Sequence, residues 1–368
     1  MAIYFINIIV TAVIAIDARK QKRIVGMQGE IRYKVSLWAI GAILLTWVLI
    51  YANRGLSIGS DTEGYYQYYK SLTQSTVSLK EYLNQGGDIL FETLRYCINK
   101  VSSGNWHIFI YIMGVLTYAP ILFVLRKEEN KHFAMSVLLY IFMFHYYYGF
   151  NAIRQTIANS ISFMAYFLFF RKRKYIKYTI SMLIAWGFHS TALFVVVFHF
   201  LSKLKIKSKI LWVIVGVLLI IGRSFSTVWN AAISLLSMGG NDTLANRYVE
   251  NMFTGSGYIR VLICLVPLVL GIWKQSVIER KEQKKIDDFL IFLIFDTIFM
   301  LYSTYNWLFA RIAVYLDIYA IVFIPKLEGV FKDNSRKVSK MLILSLYFIY
   351  MVMLLLHGEA NVYPYKFM

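Results

Sequence analysis

An all-α, polytopic membrane bundle is the fold class this sequence predicts, and three observations predict it. Of 368 residues, 58% are hydrophobic and only 16% are charged, whereas a soluble domain is nearer half apolar and a quarter charged. Apolar runs recur along the whole chain. Lysine and arginine gather in the stretches between them, as the positive-inside rule expects of cytoplasmic loops. Residues 1–368 then form a single transmembrane domain.

Taken in order, the apolar runs occupy about 2–16, 35–51, 106–125, 133–150, 152–170, 176–201, 210–227, 259–273, 287–302, 308–325 and 341–357. Several fall short of the roughly 20 residues that a straight crossing needs. The first has no basic leading region and no small-residue cleavage site, so it reads as a span and not as a cleaved signal. The run 176–201 is 26 residues long, carries basic clusters on both sides and is interrupted by Gly187, His189 and Ser190. As one crossing it would place one cluster outside. As two short helices folded back at 187–190 it keeps both inside. The expectation is therefore about twelve membrane helices, including this short broken pair, with both termini extracytoplasmic in a bacterial cytoplasmic membrane.

With that choice the inside stretches 17–34, 126–131, 171–177, 203–209, 274–285 and 326–340 hold 28 of the 39 lysines and arginines. Most of the +19 net charge is thus topogenic. It does not indicate nucleic acid, because no long basic surface is free of apolar runs. Of the 11 remaining cations, seven are arginines: Arg54, Arg95, Arg154, Arg223, Arg247, Arg260 and Arg311. Arginine's planar fork matches phosphate and carboxylate geometry. The bland reading of each is an arginine snorkelling at a helix end. That reading is weakest for Arg154 and Arg311, which lie just inside apolar runs.

Two larger segments are expected outside, about 52–105 and 228–258. The first opens NRGLSIGSDTEGYYQYYK and supplies Asp61, Glu63, Tyr65, Tyr66, Tyr68 and Tyr69. Rings beside carboxylates suit a sugar, although tyrosines also collect at membrane interfaces for no other reason. Further on, DILFETLRYCINK reads as an amphipathic helix with Leu90, Phe91, Leu94 and Ile98 on one side and Glu92 near the membrane surface. The second segment adds Arg247, Tyr248 and Glu250.

The stretch 145–162, HYYYGFNAIRQTIANSIS, places Arg154 beside Asn151 and Gln155 at the start of an apolar helix. Such a charge is retained where it faces a cavity, a partner or an anionic ligand. His189, at the helix break, can carry a proton or simply cap an orphaned helix end. His145 and His199 read as packing residues. Asp296 and Asp317 lie within spans, where pairing with tyrosine or arginine is expected. Cys97 and Cys264 offer neither metal spacing nor a disulfide. No cofactor is required. The motifs of a P-loop ATPase, a common serine hydrolase and a zincin are missing.

IGSDTEGYYQYY (58–69), the helix around Glu92, FNAIRQTIANSI (150–161), FHSTAL (188–193) and VYPYKF (362–367) together resemble the EpsG family of Wzy-type polysaccharide polymerases. Asn151, Arg154 and Gln155 fall on that family's arginine motif, Asp61 and Tyr65 on its glycine–aspartate–tyrosine motif, and His189 on its histidine motif. Glu63 departs from the pattern and inherits no role. The resemblance implies a glycosyltransferase-type polymerase. It would join polyprenyl-pyrophosphate-linked repeat units at the outer face into an O-antigen, capsule or exopolysaccharide. Its partners would be the lipid-linked glycan, membrane lipid, a flippase and a chain-length regulator. On this reading Arg154, His189, Asp61 and Glu92 are candidate catalytic residues. Asn151, Gln155, Tyr65, Arg247, Tyr248 and Arg311 are candidate substrate contacts. A non-catalytic flippase of the same glycan is the alternative, but it needs polar elements open to both faces. A third reading is an acyltransferase, or a ligase handing the glycan to another acceptor; a histidine acting on a cytosolic acyl donor belongs near the inner face, and His189 is placed outside.

Overall fold

Among the described residues, apolar sequence becomes helix almost throughout. A computed structural model of the chain describes residues 1–20, 23–25, 31–33, 35–129, 131–204, 210, 213, 216–217, 257–274, 280–330 and 333–368. They fall into two units, Met1–Val196 with Lys337–Met368, and Val197–Arg336.

The first unit begins with α1 (Ala2–Lys20) and α2 (Leu37–Ala52). A two-stranded antiparallel pairing separates them, Arg23–Val25 with Ile31–Tyr33, so the described residues include one short strand pair in a chain expected to be all-helical. Three short helices follow: α3 (Thr62–Gln74), α4 (Leu79–Leu83) and α5 (Ile89–Val101). The long α6 (Trp106–Glu128) leads to α7 (Phe133–Phe142), α8 (His145–Tyr148) and α9 (Ile153–Ala165). A π turn at Tyr166–Phe170 precedes α10 (Tyr175–Phe188). A 3-10 turn, Ser190–Leu193, and α11 (Phe194–Leu201) follow, the second unit beginning at Val197 within α11. The second unit contains α12 (Tyr258–Lys274), α13 (Arg280–Tyr302), α14 (Leu308–Asp317) and α15 (Ala320–Phe323). The chain returns to the first unit through α16 (Asp333–Leu356).

Three stretches are long and apolar enough to cross a membrane: Trp106–Glu128, Leu308–Leu327 and Ser335–Leu356. Five shorter apolar helices accompany them among the described residues: Ala2–Ala18, Leu37–Ala52, Phe133–Phe142, Ser190–Leu201 and Tyr258–Trp273. This is a helical membrane protein, and the expected count of about twelve is finer than these helices establish. Ile6, Ile9, Val13 and Ile16 on α1 stay exposed, as do Ile176, Ile180, Leu183 and Ile184 on α10. Spacings of three and four residues put each set on one helix face. Apolar faces of this kind are stable against lipid tails and costly against water.

The core of the first unit is aromatic. Trp47 stacks on Tyr140 at 5.3 Å and meets Tyr118 and Tyr146 edge-on or tilted. Its indole N–H donates to Thr11 Oγ1 at 3.0 Å, and the Tyr146 hydroxyl donates to the Trp47 carbonyl at 3.0 Å. Buried ring polar atoms need such partners. Two of the three tyrosines ahead of Arg154, Tyr146 and Tyr147, are therefore pillars of this core, and both are fully buried.

The segment 52–105 folds as an ordered cap in its own right. Asn99 donates to the Tyr69 carbonyl at 2.8 Å, Lys70 to the Gly104 carbonyl at 2.9 Å and Lys100 to the Ser75 carbonyl at 2.7 Å. Arg54, 1% exposed, anchors its start. The guanidinium donates to Phe150 O at 3.1 Å, to Thr62 Oγ1 at 3.2 Å and to the Tyr51 carbonyl, and lies over the Tyr51 ring. This arginine is a structural rivet between the cap and the turn that opens α9. The chain's last residues lace the same region. Gly55 N–H donates to Lys366 O at 2.7 Å, Gly59 N–H to Asn361 O at 2.9 Å and the Tyr365 hydroxyl to Ile50 O at 2.7 Å. Gly59 is obligatory here. Its φ is +88°, and a Cβ would sit 2.7 Å from both Phe150 O and Asn151 Oδ1, a conformation and a closeness that only glycine tolerates.

Candidate active site

Four elements of the first unit converge at the N-terminus of α9. Arg154, second residue of α9, has helical neighbours that cannot pair with it, so its fork reaches sideways. Its Nη1 donates to Asp88 Oδ2 at 2.9 Å. Asp88 precedes α5 at the N-cap position, yet its side chain makes no capping bond. The carboxylate is used across the interface instead. The same Oδ2 meets His189 Nδ1 at 3.1 Å, and Oδ1 accepts the Ser190 backbone N–H at 3.1 Å.

The helix break expected at 187–190 is what delivers His189. Helix α10 ends at Phe188, and His189 is extended at φ −161° and ψ 123°. The next residues start a new turn with free N–H groups, one of which Asp88 satisfies. Gly187 allows the approach of α10 to α5: a Cβ there would lie 2.5 Å from Leu90 Cγ.

Burial would raise the Asp88 carboxyl. The hydrogen bond to His189, the charges of His189 and Arg154 and the Ser190 N–H outweigh it, holding the group below its ordinary range. Asp88 is therefore an anion at neutral pH. A depressed carboxyl contributes stability that is present above its unfolded value, about pH 4, and lost as pH falls through the folded value. Thermal unfolding of wild type and Asp88→Asn should thus differ just above about pH 4 and converge in more acid solution. A gap that stays constant into strong acid would mean the carboxylate is not held by these partners.

Tyr65 forms one flank. Its ring meets Phe91 edge-on at 6.0 Å, and its hydroxyl lies by Arg154. Burial, only partly countered by the Arg154 charge, raises this phenol, so it is neutral at pH 7. Phe91 also lies beneath the Arg154 guanidinium, 5.9 Å from ring centre to Cζ. Asn151 is turned away from the fork. Its amide donates to the Ala360 carbonyl at 2.9 Å, tying the C-terminal tail to the α9 turn. Gln155 is 5% exposed within the helix packing. Asp61 stands at the start of α3, half-buried, and accepts from Ser60 Oγ at 3.1 Å.

Glu92 is buried by its own segment. It is 6% exposed inside the cap, ion-paired with Arg95 and accepting from the Tyr82 hydroxyl at 2.6 Å. Arg95 stacks 3.9 Å from the Tyr68 ring centre. Arginine at i+3 along α5 and a tyrosine from α4 hold this carboxylate in place.

Arg311 belongs to the second unit, where its guanidinium lies 4.2 Å from the Trp307 ring centre. Arg247 and Tyr248 lie outside the described residues. Of the sequence-predicted site, the structure thus brings together Arg154, His189 and Tyr65, with Asn151 and Asp61 at the margins. Asp88 was missed. Its only sequence signal was a lone carboxylate behind Gly86 and Gly87, which reads as an ordinary helix cap.

The arrangement has clear chemical capacities. An aspartate bonded to Nδ1 fixes a histidine ring and leaves Nε2 as the outward nitrogen. Arg154 is 37% exposed and engages both Asp88 and the Tyr65 hydroxyl, so the remaining donors on its exposed side can take an oxyanion. A proton acceptor and an anion binder therefore share one carboxylate.

The family model described as EpsG family matches residues 37–367, nearly the whole chain. No curated protein and no solved structure matches.

Proposed function

The chain belongs to the EpsG family, which is associated with polysaccharide polymerisation, and from that premise we propose that it is the polymerase acting on polyprenyl-pyrophosphate-linked repeat units. The observation that carries the reading is Arg154 and His189 meeting on the two sides of one Asp88 oxygen. In the reaction, a hydroxyl at the non-reducing end of one lipid-linked unit attacks the anomeric carbon of the donor glycan. The new glycosidic C–O bond forms as the anomeric carbon–phosphate oxygen bond breaks. Its electron pair leaves with polyprenyl pyrophosphate, and the hydroxyl proton passes to His189 Nε2.

Each residue answers one need. His189, oriented by Asp88, accepts the proton. Arg154 stabilises charge growing on the leaving pyrophosphate. Asp88 stays ionised and balances imidazolium and guanidinium. Tyr65 and Tyr68 offer ring faces for sugar C–H groups, and Asp61 a carboxylate for hydroxyls. The acceptor and donor are outside the cytoplasmic membrane on this reading, with 52–105 as an extracytoplasmic cap. The product is an exopolysaccharide, capsule or O-antigen. A flippase supplies the substrate, and a chain-length regulator is a fitting partner.

Purified protein in liposomes, given lipid-linked repeat units already on the accessible face, should yield a ladder of longer glycans and free polyprenyl pyrophosphate. Transbilayer movement of single units with no ladder would instead assign the chain to the flippase class.

A further inference from the structure

The second unit holds another cluster, assembled from positions 264, 296 and 317. Cys264 stands on α12, Asp296 on α13, and Asp317 closes α14. One ligand atom from each lies within 4.8 Å of the other two. Cys264 and Asp296 are buried and Asp317 is half-buried. Asp296 is 1% exposed, and among the described residues neither of its carboxylate oxygens has a hydrogen-bond partner of good geometry, although the Cys264 thiol lies within reach of it. The expected pairing of Asp296 with tyrosine or arginine is thus not what the described residues form. Cys264 itself belongs to an apolar cluster with Val261, Met300 and Ala313, with Leu265, Phe299 and Leu301 packed against it. A buried, unpaired carboxylate costs several kcal/mol, so a counter-group is required.

We propose that these three side chains bind a divalent metal of the zinc class. Three arguments support a metal over a proton held between the two carboxylates. A proton shared between the carboxylates, with the Cys264 thiol donating to Asp296, leaves the other carboxylate oxygens unmatched, whereas a cation uses all three donors. One sulfur with two carboxylates suits a borderline-soft ion and disfavours magnesium or calcium, which take oxygen. Tetrahedral ligands at about 2.0–2.3 Å from one ion stand roughly 3.3–3.8 Å apart, so atoms within 4.8 Å of one another need a closure of at most about 1.5 Å to seat it. Charge also balances. Arg260, one turn before Cys264 and within electrostatic reach of it, adds a positive charge. A thiolate, two carboxylates, one guanidinium and a divalent ion sum to zero, the favoured state in a low-dielectric interior. The ion would staple three consecutive helices of the unit, with a fourth position open.

The test uses the full-length chain in detergent, with the exposed Cys97 changed to serine so that Cys264 is the sole thiol. After chelator washing, Co²⁺ is titrated in, then Zn²⁺. The expected result is one Co²⁺ per chain with a sulfur-to-cobalt charge-transfer absorption, displaced by Zn²⁺. Cys264→Ser should abolish that absorption, and Asp296→Asn should weaken uptake about 10- to 100-fold. Zn²⁺ should raise the unfolding temperature of the Cys97→Ser chain and not that of either variant. No charge-transfer band, or equal uptake by all three proteins, would leave an adventitious ion only. An Asp296→Asn chain that is as stable as the parent with or without Zn²⁺ would assign the site to a proton. If Asp296→Asn does not fold, the near-isosteric Cys264→Ser still decides, since it removes only the sulfur.

Discussion

Arg154→Ala should abolish long glycan while leaving a folded, membrane-inserted protein. The two halves of that expectation rest on different magnitudes. The Arg154–Asp88 ion pair has a 37% exposed arginine, and pairs that open to solvent contribute about 1 kcal/mol or less to stability. The transition-state role is larger. A donor aimed at a developing oxyanion is worth about 10²–10³ in rate, and a guanidinium facing pyrophosphate stands at the upper end. Turnover should therefore drop by about 10³ with little change in unfolding temperature. Arg154→Lys keeps the charge but loses the fork, so it should recover part of the rate and not all of it. The readout is the glycan ladder from purified protein together with thermal unfolding. Ordinary long chains from Arg154→Ala would sink the leaving-group role. A low ladder accompanied by an unfolded protein would show a structural arginine instead.

His189→Ala should lower the rate by about 10²–10⁴, the usual contribution of a positioned general base. Asp88→Asn should lower it less, because the imidazole remains but loses the partner that fixes its ring and balances its charge. The two changes act on one unit, since Asp88 Oδ2 and His189 Nδ1 are 3.1 Å apart. Their combined effect should then be close to that of His189→Ala alone, and not the product of the single effects. Rates that multiply in the double variant would mean that the carboxylate and the imidazole work independently, and the dyad would be discarded. Asp88→Asn also separates positioning from packing. Its rate loss should exceed any loss of stability at neutral pH, where a merely structural aspartate would lose both together.

The parts of this site that could be read from sequence share one property: they are expensive where they stand. A guanidinium at the start of an apolar helix and an imidazole inside an apolar run each need a reason, and that need is visible without coordinates. Asp88 lies in a polar segment where carboxylates cost nothing, so it gave no such signal. Glu92 drew attention for its helix, yet Arg95 and Tyr82 engage it inside the cap. Local pattern reports which face of its helix a residue is on. It does not report what folds back over that face.

The sequence by itself determined that this is a helical membrane protein of the EpsG family, that Arg154 and His189 are its exceptional residues, and that the helix breaks beside His189. Hydrophobic length, charge and breaker residues act locally, so a string of residues records them. Only the tertiary structure decided that Asp88 joins Arg154 across 66 residues and His189 across 101. The same holds for Cys264, Asp296 and Asp317, which share no motif spacing and meet because three helices pack. Contacts at such separations are set by how helices dock, through close approaches such as Gly187 on Leu90. No local period encodes that docking.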